Sequence, residues 1–308
     1  MERKVIVIVG PTCSGKTRIG ISLAEKLRTE IISADSRQVY KYLNIGTASP
    51  AAEELTKIKH HFINFLEPDE DYNVSRFEID ALKIIDELFE KEKIPLVVGG
   101  SGLYVKALID GIFNLVDVDE EYRAELKRKR ESFGNQYLYE ELVRIDPESA
   151  SKMLPQNWKR VMRALEVFYI TGEPIWKFQK SYKRNVDCKF IQFGLKWERE
   201  KLYRNIERRV DEMMTNGLVN EVKNIFAKGY TKNLNALNTV GYKEIISYLE
   251  SEITLERAVE LIKRNTRRFA KRQLTWFRKD ERIIWLPIES EFDIDNAVTS
   301  ILKEYYRN

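Results

Sequence analysis

Cysteine is almost absent from this chain: Cys13 and Cys188 are the two among 308 residues. They stand far apart and lack the paired spacing of a zinc site, which argues against structural zinc and for a reducing cytoplasm. Histidine is equally scarce. His60 and His61 sit side by side with no third ligand at metal spacing, so no metal role is assigned to them. No apolar stretch approaches the ~20 residues of a membrane span, and no membrane partner is expected. The charged start Met1-Glu2-Arg3-Lys4 runs directly into an apolar segment, which leaves no room for a signal peptide. Internal repeats and low-complexity tracts are missing too. A large excess of one charge is also lacking: 52 Lys and Arg face 48 Asp and Glu, a net charge of +4. The resulting pI of about 8.8 is by itself weak support for a nucleic-acid partner, so the distribution of charge matters more.

What is present starts with Val5-Ile6-Val7-Ile8-Val9, five β-branched residues without polar alternation. Such a run reads as a strand buried on both faces of a parallel sheet. It leads into Gly10-Pro11-Thr12-Cys13-Ser14-Gly15-Lys16-Thr17, a Gly-x-x-x-x-Gly-Lys-Thr phosphate loop, and then into a helix from Arg18 to Leu27. Strand, loop and helix in that order are the context such a loop requires. Its backbone N–H groups and the helix N-terminus attract an anion, Lys16 adds a full charge, and the Thr17 hydroxyl suits a Mg²⁺ ion on the same phosphates. Cys13 reads as a small spacer here rather than a nucleophile. Taken alone, the loop points to a nucleotide such as ATP.

Two further strand ends carry polar groups. Glu30 to Ala34 reads as a strand ending at Asp35, where ligands bind in open α/β sheets; Asp35 serves chemistry or Mg²⁺ there, or caps a short helix. Pro95 to Val98 reads as a third strand, followed by Gly99-Gly100-Ser101-Gly102, which places the Ser101 hydroxyl at the same edge or simply makes a tight turn. From Asp117 to about Arg184 the strands disappear. Charged helical periodicity spans Asp119–Phe133, Tyr137–Ile145 and Asn157–Thr171, the last ended by Gly172-Glu173-Pro174. The fold class is therefore α/β, a P-loop NTPase-like core with a parallel sheet flanked by helices, plus an inserted all-helical domain. The expected division assigns 1–114 and 188–308 to the core and 115–187 to the insertion. A last long helix, about Leu255 to Phe277, concentrates Arg264, Arg267, Arg268, Lys271 and Arg272 among Phe269, Trp276 and Phe277. Clustered cations with aromatics suit a phosphate backbone and exposed bases; a solvated basic face is the plainer explanation.

Seven segments together resemble one family. They are Gly10–Thr17, Ser33–Tyr40 (Ser-Ala-Asp-Ser-Arg-Gln-Val-Tyr), Gly46–Pro50, Val97–Tyr104, Arg163–Val167, Val240–Glu244 and Ala270–Arg278. In this order they resemble the bacterial tRNA dimethylallyltransferases, also called tRNA isopentenyltransferases, from residue 5 to about 286. The resemblance implies transfer of a dimethylallyl group from dimethylallyl diphosphate to N6 of adenosine 37, next to the anticodon, in tRNAs reading codons that begin with U. It also implies a core related to P-loop kinases and an insertion that grips the anticodon stem-loop. By the same resemblance Asp35 is the general base, Arg209 reaches the diphosphate opposite the loop, and Ser101 bonds near the reacting groups with Thr17 beside them. Contacts to tRNA would come from Asp35, Ser36, Arg37, Gln38 and Ser101, from Arg123, Gln156, Asn157, Trp158, Lys159 and Arg160, and from Gly241, Tyr242, Lys243, Lys271, Arg272, Gln273 and Arg278. The family usually has Thr in place of Ser101 and often Ala in place of Cys13; the hydroxyl and the small volume are kept. A cytoplasmic monomer using Mg²⁺ is expected.

Two other classes fit parts of the sequence. An adenylate isopentenyltransferase or small-metabolite kinase would need neither the insertion nor the cationic helix. A non-catalytic nucleotide-dependent RNA-binding protein would need neither Asp35 nor Ser101 at a strand end.

Overall fold

The continuous apolar run at the start does become the centre of a sheet. In the computed structural model, which describes residues 2–112, 119–181, 184, 186–290 and 293–307, β1 (Lys4–Val9) is fully buried from Val5 to Val9. Its side chains alternate between two cores. Val5, Val7 and Val9 face one, and Ile6 and Ile8 face the other. Each such burial is worth about 1.5–3 kcal/mol. Five of them outweigh the ~1–3 kcal/mol of backbone strain stored just downstream, where non-glycine Cys13 is held at φ 62°.

The chain continues through α1 (Lys16–Leu27), β2 (Ile31–Ser33), α2 (Ala52–Lys57), β3 (His60–His61), α3 (Val74–Glu90), β4 (Leu96–Gly99) and α4 (Gly102–Asp110). After α5 (Glu120–Ile145), α6 (Pro147–Ser151), α7 (Trp158–Thr171) and α8 (Ile175–Ser181), it returns to β5 (Lys189–Trp197). It ends with α9 (Arg199–Thr215), α10 (Leu218–Ala227), α11 (Tyr242–Leu249), α12 (Leu255–Phe277), β6 (Ile284–Ile288) and α13 (Asp293–Arg307). All six strands are parallel, in the order β3-β2-β4-β1-β5-β6. The α/β expectation is met. Because β4 lies on one side of β1 and β5 on the other, the chain's connections diverge at β1, where a crevice opens at the carboxyl edge.

Residues of α1 (Ile19, Leu23, Ala24) and of α13 (Ile294, Ala297, Ile301) cover one face of the sheet. Helix α3, with Phe77, Ala81 and Ile85, packs with α4 and α10 to α12 on the other. The chain divides into two compact units, Met1–Ile109 with Val186–Asn308, and Asp110–Asn185. The boundary expected at 114/115 falls outside the described residues.

The second unit has its own core of Leu126, Leu138, Leu142, Val161 and Leu165. The Asp119 carboxylate caps α5 by accepting from the Tyr122 N–H at 2.9 Å. The two helices read from the sequence either side of residue 134 are both present within α5, separated at Gly134, whose φ of 83° and ψ of 176° are not helical. Helix α7 ends at Gly172, φ 69°, as its glycine predicts. No described helix is long and apolar enough to cross a membrane.

Candidate active site

Three strand ends meet at one edge. Val9 of β1 pairs with Gly99 of β4 and with Gly194 of β5, and Ser33 of β2 pairs with Val98. The segments that follow β1, β2 and β4 therefore emerge side by side, and they are the phosphate loop, Asp35 and Ser101. All of them lie in the first unit.

The loop closes at Gly15, whose φ of 89° is the left-handed conformation a side chain would strain. Lys16 then opens α1 and folds back, its Nζ donating to the Pro11 carbonyl at 2.6 Å. Burial pushes the Lys16 ammonium down to about 8; the Asp35 charge opposes that shift and Arg209 reinforces it. A buried cation beside a second cation is a site short of negative charge, and a diphosphate supplies it. Two long-range side chains hold the loop. Gln273 accepts from the Thr12 N–H at 2.8 Å and donates to the Gly100 carbonyl at 2.9 Å, and the Trp197 indole donates to the Ser14 carbonyl at 3.0 Å.

Asp35 caps a turn rather than the short helix considered from the sequence. Its Oδ1 accepts from the N–H groups of Arg37 (2.8 Å) and Gln38 (3.4 Å), and residues 36–39 form turns. Asp35 also lines the cavity beside this turn. Ser101 links β4 to this turn: its N–H donates to the Ala34 carbonyl at 3.1 Å, and its Oγ accepts from the Ser36 N–H at 2.9 Å.

These groups line a single cavity of about 870 Å³. Of the residues singled out from the sequence, it gathers Thr12 to Thr17, Asp35 to Gln38, Ser101, Arg209, Lys243, Arg272 and Gln273. Gly10 and Pro11 complete the loop behind it. Lys271 and Arg278 are exposed on and just beyond α12. Gly46 to Pro50 and Trp276 also line the cavity. Trp276, 38% exposed, packs so close to Gly102 that a Cβ there would lie 2.3 Å from the indole. Trp197 and the Gly46–Pro50 wall had no assigned task from the sequence; a lone Trp after a strand gives no local signal of a loop 183 residues away.

Some expected RNA contacts have other tasks. Tyr242 is 0% exposed, and its hydroxyl donates to Glu221 at 2.6 Å; burial, then the Glu221 charge, pushes the phenol well up. A side chain with no accessible surface cannot touch a macromolecule, so Tyr242 is corrected to a packing residue. Gly241 spends its N–H on Glu244 at 2.7 Å, capping α11. Gln273 is buried, with its amide occupied between two loops. In the second unit Arg123 grips Glu166, itself 1% exposed, through two hydrogen bonds of 2.5 and 2.9 Å. Its charge neutralises a buried carboxylate instead of lying free on the surface. Gln156, Asn157, Lys159 and Arg160 are exposed there, and Trp158 is half-buried with the Arg130 guanidinium 4.0 Å from its ring centre.

Comparison with known proteins identifies a family. The family model described as IPP transferase matches residues 38–280. A tRNA dimethylallyltransferase of Acetivibrio thermocellus is 47% identical over 303 residues, covering 98% of this chain and 96% of that one. The protein of the same name from Pelotomaculum thermopropionicum is 45% identical over 303 residues, with the same coverage. Among solved structures, the tRNA isopentenylpyrophosphate transferase of Bacillus halodurans superposes with a TM-score of 0.71 at 40% identity, covering 99% of this chain and 98% of its own. A eukaryotic dimethylallyltransferase described as acting on tRNA gives a TM-score of 0.81 at 30% identity, covering 97% of this chain and 78% of its own. On matches that run nearly end to end, the chain belongs to the IPP transferase family.

Proposed function

We propose that this protein transfers the dimethylallyl group of dimethylallyl diphosphate to N6 of adenosine 37 in tRNAs reading codons that begin with U, giving N6-(dimethylallyl)adenosine. The observation that carries the reading is the convergence of Lys16, Asp35, Ser101 and Arg209 on one cavity that also reaches Arg272 of the cationic helix α12. An adenylate isopentenyltransferase or small-metabolite kinase needs the loop but neither the long cationic helix nor the helical insertion.

The chemistry follows from these groups. The N6 nitrogen attacks C1 of the prenyl group, an N–C bond forms, the C1–O bond breaks, and the diphosphate leaves with the bonding electrons. The exocyclic amine is barely basic, so its proton must go as the bond forms; Asp35 takes it on the oxygen its turn leaves free. Such proton transfer is typically worth ~10²–10⁴-fold. Loop N–H groups, Lys16 and Arg209 stabilise the charge that builds on the leaving group. Ser101, already fixed against Ser36, holds the Asp35 turn in register with β4.

Mg²⁺ fits as an ion carried largely by the diphosphate. No described group of three or more His, Cys, Asp or Glu could hold a metal. Mg²⁺ is commonly held by one or two protein oxygens together with phosphates and waters. Thr17, with its hydroxyl at the start of α1, would hold it; bound there, it would neutralise part of the charge released with the diphosphate. The target base has to leave its stack, at a cost of a few kcal/mol. The aromatic rim at Phe269 and Trp276, each 38% exposed, offers stacking of that order. The helical insertion, with exposed Gln156, Asn157, Lys159 and Arg160, grips the anticodon stem-loop.

The test is incubation with labelled dimethylallyl diphosphate, Mg²⁺ and either unmodified anticodon stem-loop or AMP. Label in the stem-loop adenosine supports the reading; label in AMP alone replaces it with an adenylate isopentenyltransferase.

A further inference from the structure

The cavity wall from Gly46 to Pro50 is fastened from behind by a residue the chemistry above does not use. Glu221, in the first turn of α10, turns its carboxylate onto three consecutive backbone N–H groups. Its Oε2 accepts from Asn44 at 3.0 Å and Ile45 at 2.8 Å, and its Oε1 accepts from Gly46 at 3.1 Å. Oε1 also accepts from the Tyr242 hydroxyl at 2.6 Å. Hydrogen bonds to a carboxylate are roughly twice as strong as neutral ones. The Tyr242 ring then seals the loop: a Cβ on residue 46 would come within 2.3 Å of it, so only glycine seats here.

From the fastened end the wall passes its position forward. Gln38 Nε2 donates to the carbonyls of Thr47 and Ala48 at 3.3 and 3.1 Å. The Gln38 Oε1 accepts from Ser33 Oγ at 3.2 Å, at the end of β2. The Gln38 N–H is also one of the two donors that fix Asp35. Hydrogen bonds, joined through the backbone of residues 46–48 and through Gln38 itself, thus connect α10 to the carboxylate at the strand end.

We propose that Glu221 is a positioning residue for the transfer reaction, holding the Gly46–Pro50 wall and, through Gln38, the Asp35 carboxylate. This rests on the reading of Asp35 as the base. Without the Glu221 charge the three N–H groups lose their common acceptor, the wall loosens, and Asp35 loses its fixed distance to the attacking amine. A misplacement of about 1 Å can cost ~10²-fold in rate. Helix α10 itself stays packed through buried Leu218, Val222 and Ile225.

The experiment compares wild type, Glu221→Gln, Glu221→Ala and, as a control on the exposed side of α10, Lys223→Ala. Single-turnover prenylation of anticodon stem-loop separates amplitude, which reports the folded fraction, from the rate constant, which reports positioning. Expected are full amplitude, a rate constant down at least tenfold in Glu221→Gln and further in Glu221→Ala, unchanged stem-loop affinity, and wild-type behaviour in Lys223→Ala. In parallel, amide hydrogen exchange of a peptide spanning residues 44–46 should accelerate at least tenfold in Glu221→Gln. Rate constants within twofold of wild type, loss of amplitude alone, or unchanged exchange overturn the proposal. An inactive wild type instead overturns the assigned reaction, and the exchange measurement then still decides whether Glu221 fastens the wall.

Discussion

At Lys16, burial and purpose pull in opposite directions. Burial holds the ammonium down at about 8, whereas a diphosphate needs it charged. Below pH 8 the amine is already protonated; above it, binding must first recapture a proton. The dissociation constant for dimethylallyl diphosphate, measured calorimetrically without Mg²⁺, should therefore weaken up to tenfold per pH unit above about 8. Lys16→Met should bind weakly at all pH values and flatten the curve, while equal wild-type affinity at pH 7 and 9.5 would contradict this account. Asp35→Ala should lower turnover by ~10²–10⁴-fold with tRNA binding intact; near-normal turnover removes it as the base. Glu30 shows the converse electrostatics. Burial disfavours its charge, but hydrogen bonds from Lys93, Lys59 and His61 outweigh that and bring it down to about 2. Its folded value lies below its unfolded one, so its stabilisation is complete above about pH 4.5 and disappears as pH falls through about 2. The melting-temperature gap between wild type and Glu30→Gln should narrow from pH 5 to pH 3.

Elements were legible where a single physical cause acts locally. The run Val5–Val9 announced a doubly covered strand because both faces of β1 are dry, and Gly172 announced the end of α7. Strand β3 was not legible: two histidines become a strand only because β2 offers them a parallel edge. Helix α13 was passed over although Ile294, Ala297, Val298 and Ile301 have helical spacing and cover the sheet. Within α12 the sequence shows cations and aromatics, but which of its polar residues turn inward depends on the packed stripe Ala270, Gln273, Phe277. That stripe, at i, i+3 and i+7, was the available signal that Gln273 is interior. The outward cations form the proposed RNA footprint. Changing Lys271 and Arg272 together to Ala should weaken tRNA binding and reduce the salt slope by ~1.4–1.8; an unchanged slope removes α12 from the footprint.

At the scale of the molecule, charge and topology tell different parts. A net charge of +4 hides the local basic density of α12, which the order of residues reveals and the total does not. The parallel sheet brings together segments from Gly10, Asp35 and Ser101 at one edge, so motif residues distant in sequence were legible as a site once each was recognised as a strand end. Of the fastenings behind them, Trp197 and Glu221 were not legible, and for Gln273 only its interior position was. A polar or aromatic side chain that reaches a distant loop has the same local pattern as one that faces water. The central claim is that a phosphate loop here holds a departing diphosphate while carbon, not phosphorus, is transferred. The most direct measurement is nucleoside analysis after incubating the protein with unmodified tRNA, Mg²⁺ and dimethylallyl diphosphate labelled in the prenyl carbons. The account predicts the label in a single N6-modified adenosine next to the anticodon, with inorganic diphosphate released one for one. Unlabelled tRNA, or a phosphorylated product in its place, would contradict it.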